Sequence, residues 1–351
     1  MSLKDKISDA IDRGKKIGED SDTFDFRWYK FFDFTENPFY LRPSTLEDVS
    51  RDLFIDRLTE LEALGEMIGL ANSSKSGVFK LAVIGADGVG KRSLARILSS
   101  LSKEKQIPGI IFDVKNDYDI QGPSIDGLSY IILENCSNFK MTKVVIDEIQ
   151  RKSESAILVI VLLAPEHHVA LLEMNPELFD REIRMKPLQN QQCIDIIESR
   201  LLSFRKSSDE VISTDALTEI TNYSQGLPKF AIEFLRDSFR IAFEKRKKLV
   251  ESTEVSEALR RYKRLNLIEF KLTTREHDIL NVMLRLRTSD ANAVGDDLGV
   301  SHNVSWKYLD GLEKKGILEK TYEGKRTYYS INSFIAAQLQ LHLYEGVING
   351  I

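Results

Sequence analysis

The 351-residue sequence has only two cysteines, Cys136 and Cys193, and their spacing is not that of metal ligands, so neither a disulfide framework nor a zinc site organises the fold. Both read as buried thiols. There is no apolar run of about 18 residues and no charged, apolar, small-residue pattern near the start, so neither membrane insertion nor secretion has support and a cytoplasmic location is expected. An excess of positive charge is also missing. The 49 Lys and Arg face 54 Asp and Glu, a net charge of −5, which excludes coating of nucleic acid by bulk electrostatics and confines any DNA contact to a local patch. No internal repeat or low-complexity tract is evident. What is present, 42% hydrophobic and 29% charged residues, is the composition of an ordinary globular chain, and the length suits two or three compact units.

Residues 1–23 are polar and charged and read as a leader without an apolar stripe. Phe24 to Phe34 then packs seven aromatics into eleven residues. Such a segment can be a stacking platform for single-stranded nucleic acid or a clamp packed on the neighbouring domain, and burial statistics favour the clamp. Helical spacing of Leu58, Leu61 and Leu64 predicts a helix before the apolar run Val78 to Ile84, which reads as a strand. Gly109 to Val114, Ile157 to Leu163 and a short edge segment Glu182 to Met185 are further strand candidates. Strands alternating with helices predict a mainly parallel sheet covered on both faces. From 189 to 264 the pattern is helical only, with segments at Gln191–Phe204, Asp215–Tyr223, Pro228–Arg246 and Ser252–Leu265.

Gly85-Ala-Asp-Gly88-Val89-Gly90-Lys91-Arg92-Ser93 follows the first strand and opens a helix, the context in which a P-loop pattern has mechanical meaning. Glycines let successive N–H groups converge on phosphate oxygens, the helix N-terminus adds its positive end, and Lys91 reaches the β and γ phosphates. Where the pattern has Ser or Thr, this chain has Arg92, and Ser93 lies about 100° further round the helix. Mg²⁺ therefore loses its usual hydroxyl ligand. The acidic partner motif has two readings. In one, Lys143 to Glu148 is a strand, with Asp147 holding the metal through water and Glu148 orienting the attacking water; only about eight residues then precede the next strand, fewer than a parallel crossover normally needs. In the other, Tyr130 to Asn135 is the strand, Glu134-Asn135 stands in place of the Asp-Glu pair, and Met141 to Ser153 is an amphipathic helix. The first is preferred by a narrow margin.

Beyond Thr273 come a capped apolar helix, a short helix and turn over Asp290 to Val300, and a helix over Asn303 to Lys315 led by Ser301. Two β-prone runs around Glu323-Gly324 follow, a hairpin signal. This is a winged helix-turn-helix layout. DNA readout would use His302, Asn303, Ser305, Trp306 and Lys307 in the major groove, with Lys325 and Arg326 at the wing tip. Residues 268–351 carry ten Lys or Arg against eleven Asp or Glu, so protein docking stands as the other use of the domain.

The ordered set resembles the AAA+ clade of origin-recognition and helicase-loader initiators, and the related STAND ATPases. The residues carrying the likeness are Asn37-Pro38-Phe39, Phe54 to Leu61 with Arg57, the P-loop, the strand Ile157 to Leu163, Arg181, Gly226 to Lys229 and the winged layout. The resemblance implies an α/β P-loop NTPase (AAA+) domain with a parallel sheet over 24–188, a helical lid over 189–267, a winged helix over 268–335 and a helical tail over 336–351. It further implies ATP or ADP as ligand, with Arg57 near the base, Arg181 as an arginine finger and Lys229 at the sensor-2 position. Ala164 stands where the clade has a polar sensor-1 residue, which with Arg92 points to weak or absent hydrolysis. Double-stranded DNA is the implied partner, with protein partners or self-association also open. The alternative is a pseudo-ATPase adaptor.

Overall fold

The computed structural model describes residues 28–39, 57–115, 125–205, 209–263, 272–324 and 326–349. The leader 1–23, Phe24, Phe26, Phe54 and Lys325 lie outside them. A central sheet is built from β1 (Val78–Ile84), β2 (Gly109–Asp113), β3 (Tyr130–Glu134), β4 (Ile157–Leu163) and β5 (Arg181–Arg184), in the order β2-β3-β4-β1-β5. All of its pairings are parallel, with Val78 to Ile84 in register against Ile157 to Leu163. Alternate strand residues serve opposite faces, as the pleat requires. Leu81, Val83, Ile132, Leu158 and Ile160 join one core, while Ala82, Ile84, Ile131, Leu133, Val159 and Val161 join the other. Helices α1 (Leu58–Ser73), α2 (Lys91–Glu104), α3 (Phe139–Lys152) and α4 (Pro165–Met174) cover the sheet, which is why β4 is buried at every position.

The strand reading of Lys143 to Glu148 is corrected: these residues lie within α3. Asn138 caps that helix by accepting the Met141 N–H at 3.1 Å. Thr142, Val145, Ile146 and Ile149 are buried at i, i+3, i+4 and i+7, a helical stripe. The strand is Tyr130–Glu134, so the short-crossover objection had physical weight.

Helices α5 (Asn190–Ser203), α6 (Thr214–Ser224), α7 (Pro228–Glu244), α8 (Ser252–Ala258) and the short α9 (Arg260–Lys263) follow, with no strand among the described residues. The aromatic segment clamps onto them. Phe32 meets Phe239 edge-on at 4.8 Å, Phe31 meets Phe243 at 5.5 Å, and Phe39 lies 5.1 Å from Phe239, so these rings are not a free stacking surface.

The last unit comprises α10 (Thr274–Leu286), β6 (Thr288–Ser289), α11 (Ala291–Leu298), α12 (His302–Lys314) and the antiparallel hairpin β7 (Leu318–Glu323) and β8 (Arg326–Ile331). Thr273 and Glu276 form a reciprocal capping box at the start of α10. Its core holds Ile279, Leu280, Met283, Val294, Leu309, Leu312 and Tyr329. Helix α13 (Ser333–Asn349) belongs to two cores at once: Ile335, Ala336 and Leu339 pack within this unit, while Phe334 and Ala337 join the main core. Phe334 sits among Tyr223, Phe230, Phe234 and Tyr262 with ring centroids 6.0, 5.0, 5.4 and 6.0 Å away.

Candidate functional site

The glycine-rich loop connects β1 to α2 at the C-terminal end of the sheet. Gly85 donates its N–H to Leu163 O at 3.1 Å, fixing the loop's entry to the end of β4. Gly88 and Gly90 have φ of 87° and 109°, which side chains rarely adopt. A Cβ on Gly88 would also lie 2.8 Å from Lys229 Cβ, because α7 starts against the loop and Lys229 N–H donates to Gly88 O at 3.2 Å. Helix α2 opens at Lys91, so its first-turn N–H groups have no acceptor within the helix and form a cradle for an anion. The Lys91 ammonium folds back onto Gly85 O at 2.5 Å and Ala86 O at 3.1 Å. Desolvation draws its pKa below the usual lysine value, against the opposing pull of Asp87 and Glu166.

Arg57 is present but inward-facing. Only 8% exposed, it donates to Lys186 O at 2.6 Å and to Val89 O at 3.4 Å, fastening the loop to the segment after β5. Gly85, Gly88, Val89, Gly90, Lys91, Arg92, Ser93, Arg57 and Lys229 are thus brought to one place.

At the end of β3, on the far side of β4 from β1, Glu134 and Asn135 meet the first turns of α2. Arg92 Nη2 donates to Asn135 Oδ1, and Arg92 Nε lies 3.5 Å from Glu134 Oε2. Arg96 grips the same carboxylate at 3.1 and 3.4 Å. Asn135, held at φ 58°, donates to Asp113 Oδ2 at 2.5 Å. A phosphate tail would find donors at the glycine loop, where the first-turn N–H groups of α2 have no acceptor within the helix. A magnesium ion does not fit. Its hydroxyl ligand is replaced by a guanidinium, and the strand-end carboxylate is already engaged by two arginines.

A second cluster, absent from the sequence reading, closes the loop from the C-terminal unit. Arg287, immediately after α10, has φ 63° and ψ −52°, a strained conformation for a non-glycine residue. Its guanidinium bridges Asp87 Oδ2 at 2.8 Å and Glu166 Oε1 at 2.6 Å. From α13, Gln340 Nε2 donates to Glu166 Oε1 at 2.9 Å, and Gln340 Oε1 accepts the Asp87 N–H at 2.7 Å. The carboxamide oxygen therefore holds a loop N–H that an anion would otherwise meet. Burial pushes the Glu166 carboxyl above its ordinary range despite Arg287. For Asp87 desolvation also pushes upward, but Arg287, Lys91 and Lys229 outweigh it and hold the carboxyl below the usual value. Glu166 Oε2 is buried and, among the described residues, makes no hydrogen bond. These four residues form a latch between loop and C-terminal unit.

Other expected residues are not brought to the loop. Asp147 and Glu148 pair along α3 with Lys143 and Lys152 at 2.7 and 2.6 Å, and Asp147 is 53% exposed. Arg181 is exposed at the start of the edge strand β5. Cys136 and Cys193 are buried, and burial pushes their thiols up to about 12 and about 11, so neither is a nucleophile near neutrality. On the C-terminal unit, His302, Asn303, Trp306 and Lys307 are exposed along the first turns of α12, and Arg326 is exposed where β8 begins. Ser305 is corrected as a contact residue: it is fully buried and its hydroxyl donates to Ala291 O at 2.6 Å, tying α12 to α11.

No protein family and no curated protein matches the chain in sequence. Among solved structures it is similar to the Aeropyrum pernix ORC1 protein in complex with DNA, with 16% identity and a TM-score of 0.53, over 90% of this chain and 98% of that one. The chain shares the fold of that protein. Cdc6p from Pyrobaculum aerophilum (18% identity, TM-score 0.49, 90% and 99% covered) and Aeropyrum pernix ORC2 in ADPNP–ADP complexes (14%, 0.48, 91% and 97%) also align. At these identities the likeness concerns the fold alone. Among the described residues no helix is long and apolar enough to cross a membrane.

Proposed function

We propose that the chain is a nucleotide-binding, DNA-binding protein of the initiator-like or regulatory kind, with weak or absent ATP hydrolysis. The latch carries this reading: the unit with a winged-helix layout reaches the phosphate loop through Arg287 and Gln340, so occupancy of the loop and placement of that unit share the same atoms. Weak hydrolysis is supported by the strand end, where Glu134 is engaged by two guanidinium groups and Asn135 replaces a second acid. DNA binding is supported by the exposed His302, Asn303, Lys307 and Arg326, and by the fold shared with a protein solved on DNA. The test is a salt titration of the full chain on random duplex DNA, with and without ATP. Binding should weaken steeply with salt, and the double change Lys325→Ala, Arg326→Ala should flatten the log–log slope by about 2.

A second reading, a pseudo-ATPase adaptor, is favoured by one observation. Trp306 is 46% exposed on α12, an aromatic side chain of the kind that anchors a protein partner. DNA binding absent at every salt concentration would transfer the conclusion to that reading.

A further inference from the structure

We propose that Arg92 takes the place of the metal ion, so that this loop binds the phosphate tail of a nucleotide free of Mg²⁺. The inference rests on the loop being a nucleotide site and adds which ionic form of the nucleotide it accepts. In an Mg²⁺-dependent site the cation links three partners: the loop hydroxyl, the strand-end carboxylate and the phosphates. Here one side chain already makes the protein half of that linkage. Arg92 starts at the hydroxyl's position in the first turn of α2 and ends on Glu134 and Asn135 at the tip of β3.

The surroundings reinforce the substitution. Arg96 shares Glu134, and Asn135 is turned by its bond to Asp113, so the carboxamide oxygen faces the Arg92 guanidinium. A divalent ion entering here would stand beside two guanidinium groups and compete with them for one carboxylate, an electrostatically unfavourable exchange. Arginine, by contrast, offers five N–H donors in a planar fork that suits phosphate oxygens as well as carboxylates. The Arg92 side chain is 42% exposed, so it remains accessible to a ligand while it holds Glu134 and Asn135. Together with Lys91 and the first-turn N–H groups it supplies positive charge without any ion.

The experiment is calorimetric titration of ADP into the full chain in EDTA and in excess Mg²⁺. Because Mg²⁺ complexes the phosphates of free ADP, a site built for the uncomplexed tail should bind at least as tightly in EDTA, and added Mg²⁺ should weaken the apparent affinity. Arg92→Thr should reverse that order, with Mg²⁺ tightening ADP by about tenfold or more. Wild-type binding that tightens with Mg²⁺ overturns the inference and leaves the nucleotide site standing. Wild-type binding in neither condition removes the nucleotide site itself and the inference with it. The comparison of the two wild-type titrations holds whether or not the variant folds.

Discussion

At the residue scale, His167 reports on the closed loop region. It is 3% exposed, its Nε2 lies 3.3 Å from Arg285 O, and burial, assisted by Arg287, lowers its pKa to about 4. A base whose folded pKa lies below its unfolded value contributes stability that is complete above the unfolded value and lost as pH falls. Between pH 6.5 and about 4 the unfolded chain takes up a proton that the folded chain refuses, which amounts to about 3 kcal/mol at the lower end. Denaturant midpoints should therefore fall across that window, and His167→Asn should reduce the slope, leaving the part that comes from His168, whose pKa burial also holds below the usual imidazole value. A pH-independent midpoint in the wild type would refute the assignment. The residues of the glycine loop were legible in sequence because φ demands and phosphate chemistry impose a spacing there. Arg287 and Gln340 were not, since they lie 200 and 253 residues from Asp87 and no local pattern marks them.

At the element scale, the strand Ile157–Leu163 was legible because burial on both faces leaves a continuous apolar run, and Val78–Ile84 because its buried half, Leu81 to Ile84, does the same. The ambiguity between β3 and α3 arose where such runs are short. Lys143 to Ile146 includes β-branched residues and ends near two acids, which imitates a strand tip, yet its buried positions follow a helical repeat. Ser305 shows a related limit: a small polar residue in a helix facing solvent on one side and a neighbouring helix on the other gives no sequence sign of which it faces. Helix α13 makes the sharper prediction. Phe334 is 1% exposed among four other rings, so Phe334→Ala should cost about 3–5 kcal/mol. Because α13 is shared by two cores, chemical unfolding monitored in helices α5 to α8 and in the C-terminal unit should shift together; a shift confined to one would show that the units unfold separately.

At the scale of the whole molecule, the latch sets two ligands against one another. Gln340 Oε1 holds the Asp87 N–H, a donor that a phosphate oxygen in the proposed nucleotide site would also need. Saturation with ADP should accordingly raise amide exchange across α10 to β8, and Gln340→Ala should tighten ADP by about fivefold or more. Unchanged exchange with ADP bound would mean that phosphates enter without moving the C-terminal unit. The same separation along the chain has a consequence in time. At about 5–20 residues per second, the ribosome makes Gln340 roughly 10–50 s after Asp87. Each newly synthesised molecule thus spends an interval with its glycine loop translated and its latch still unmade, and on the proposed function nucleotide in the cell would have the first opportunity to occupy it.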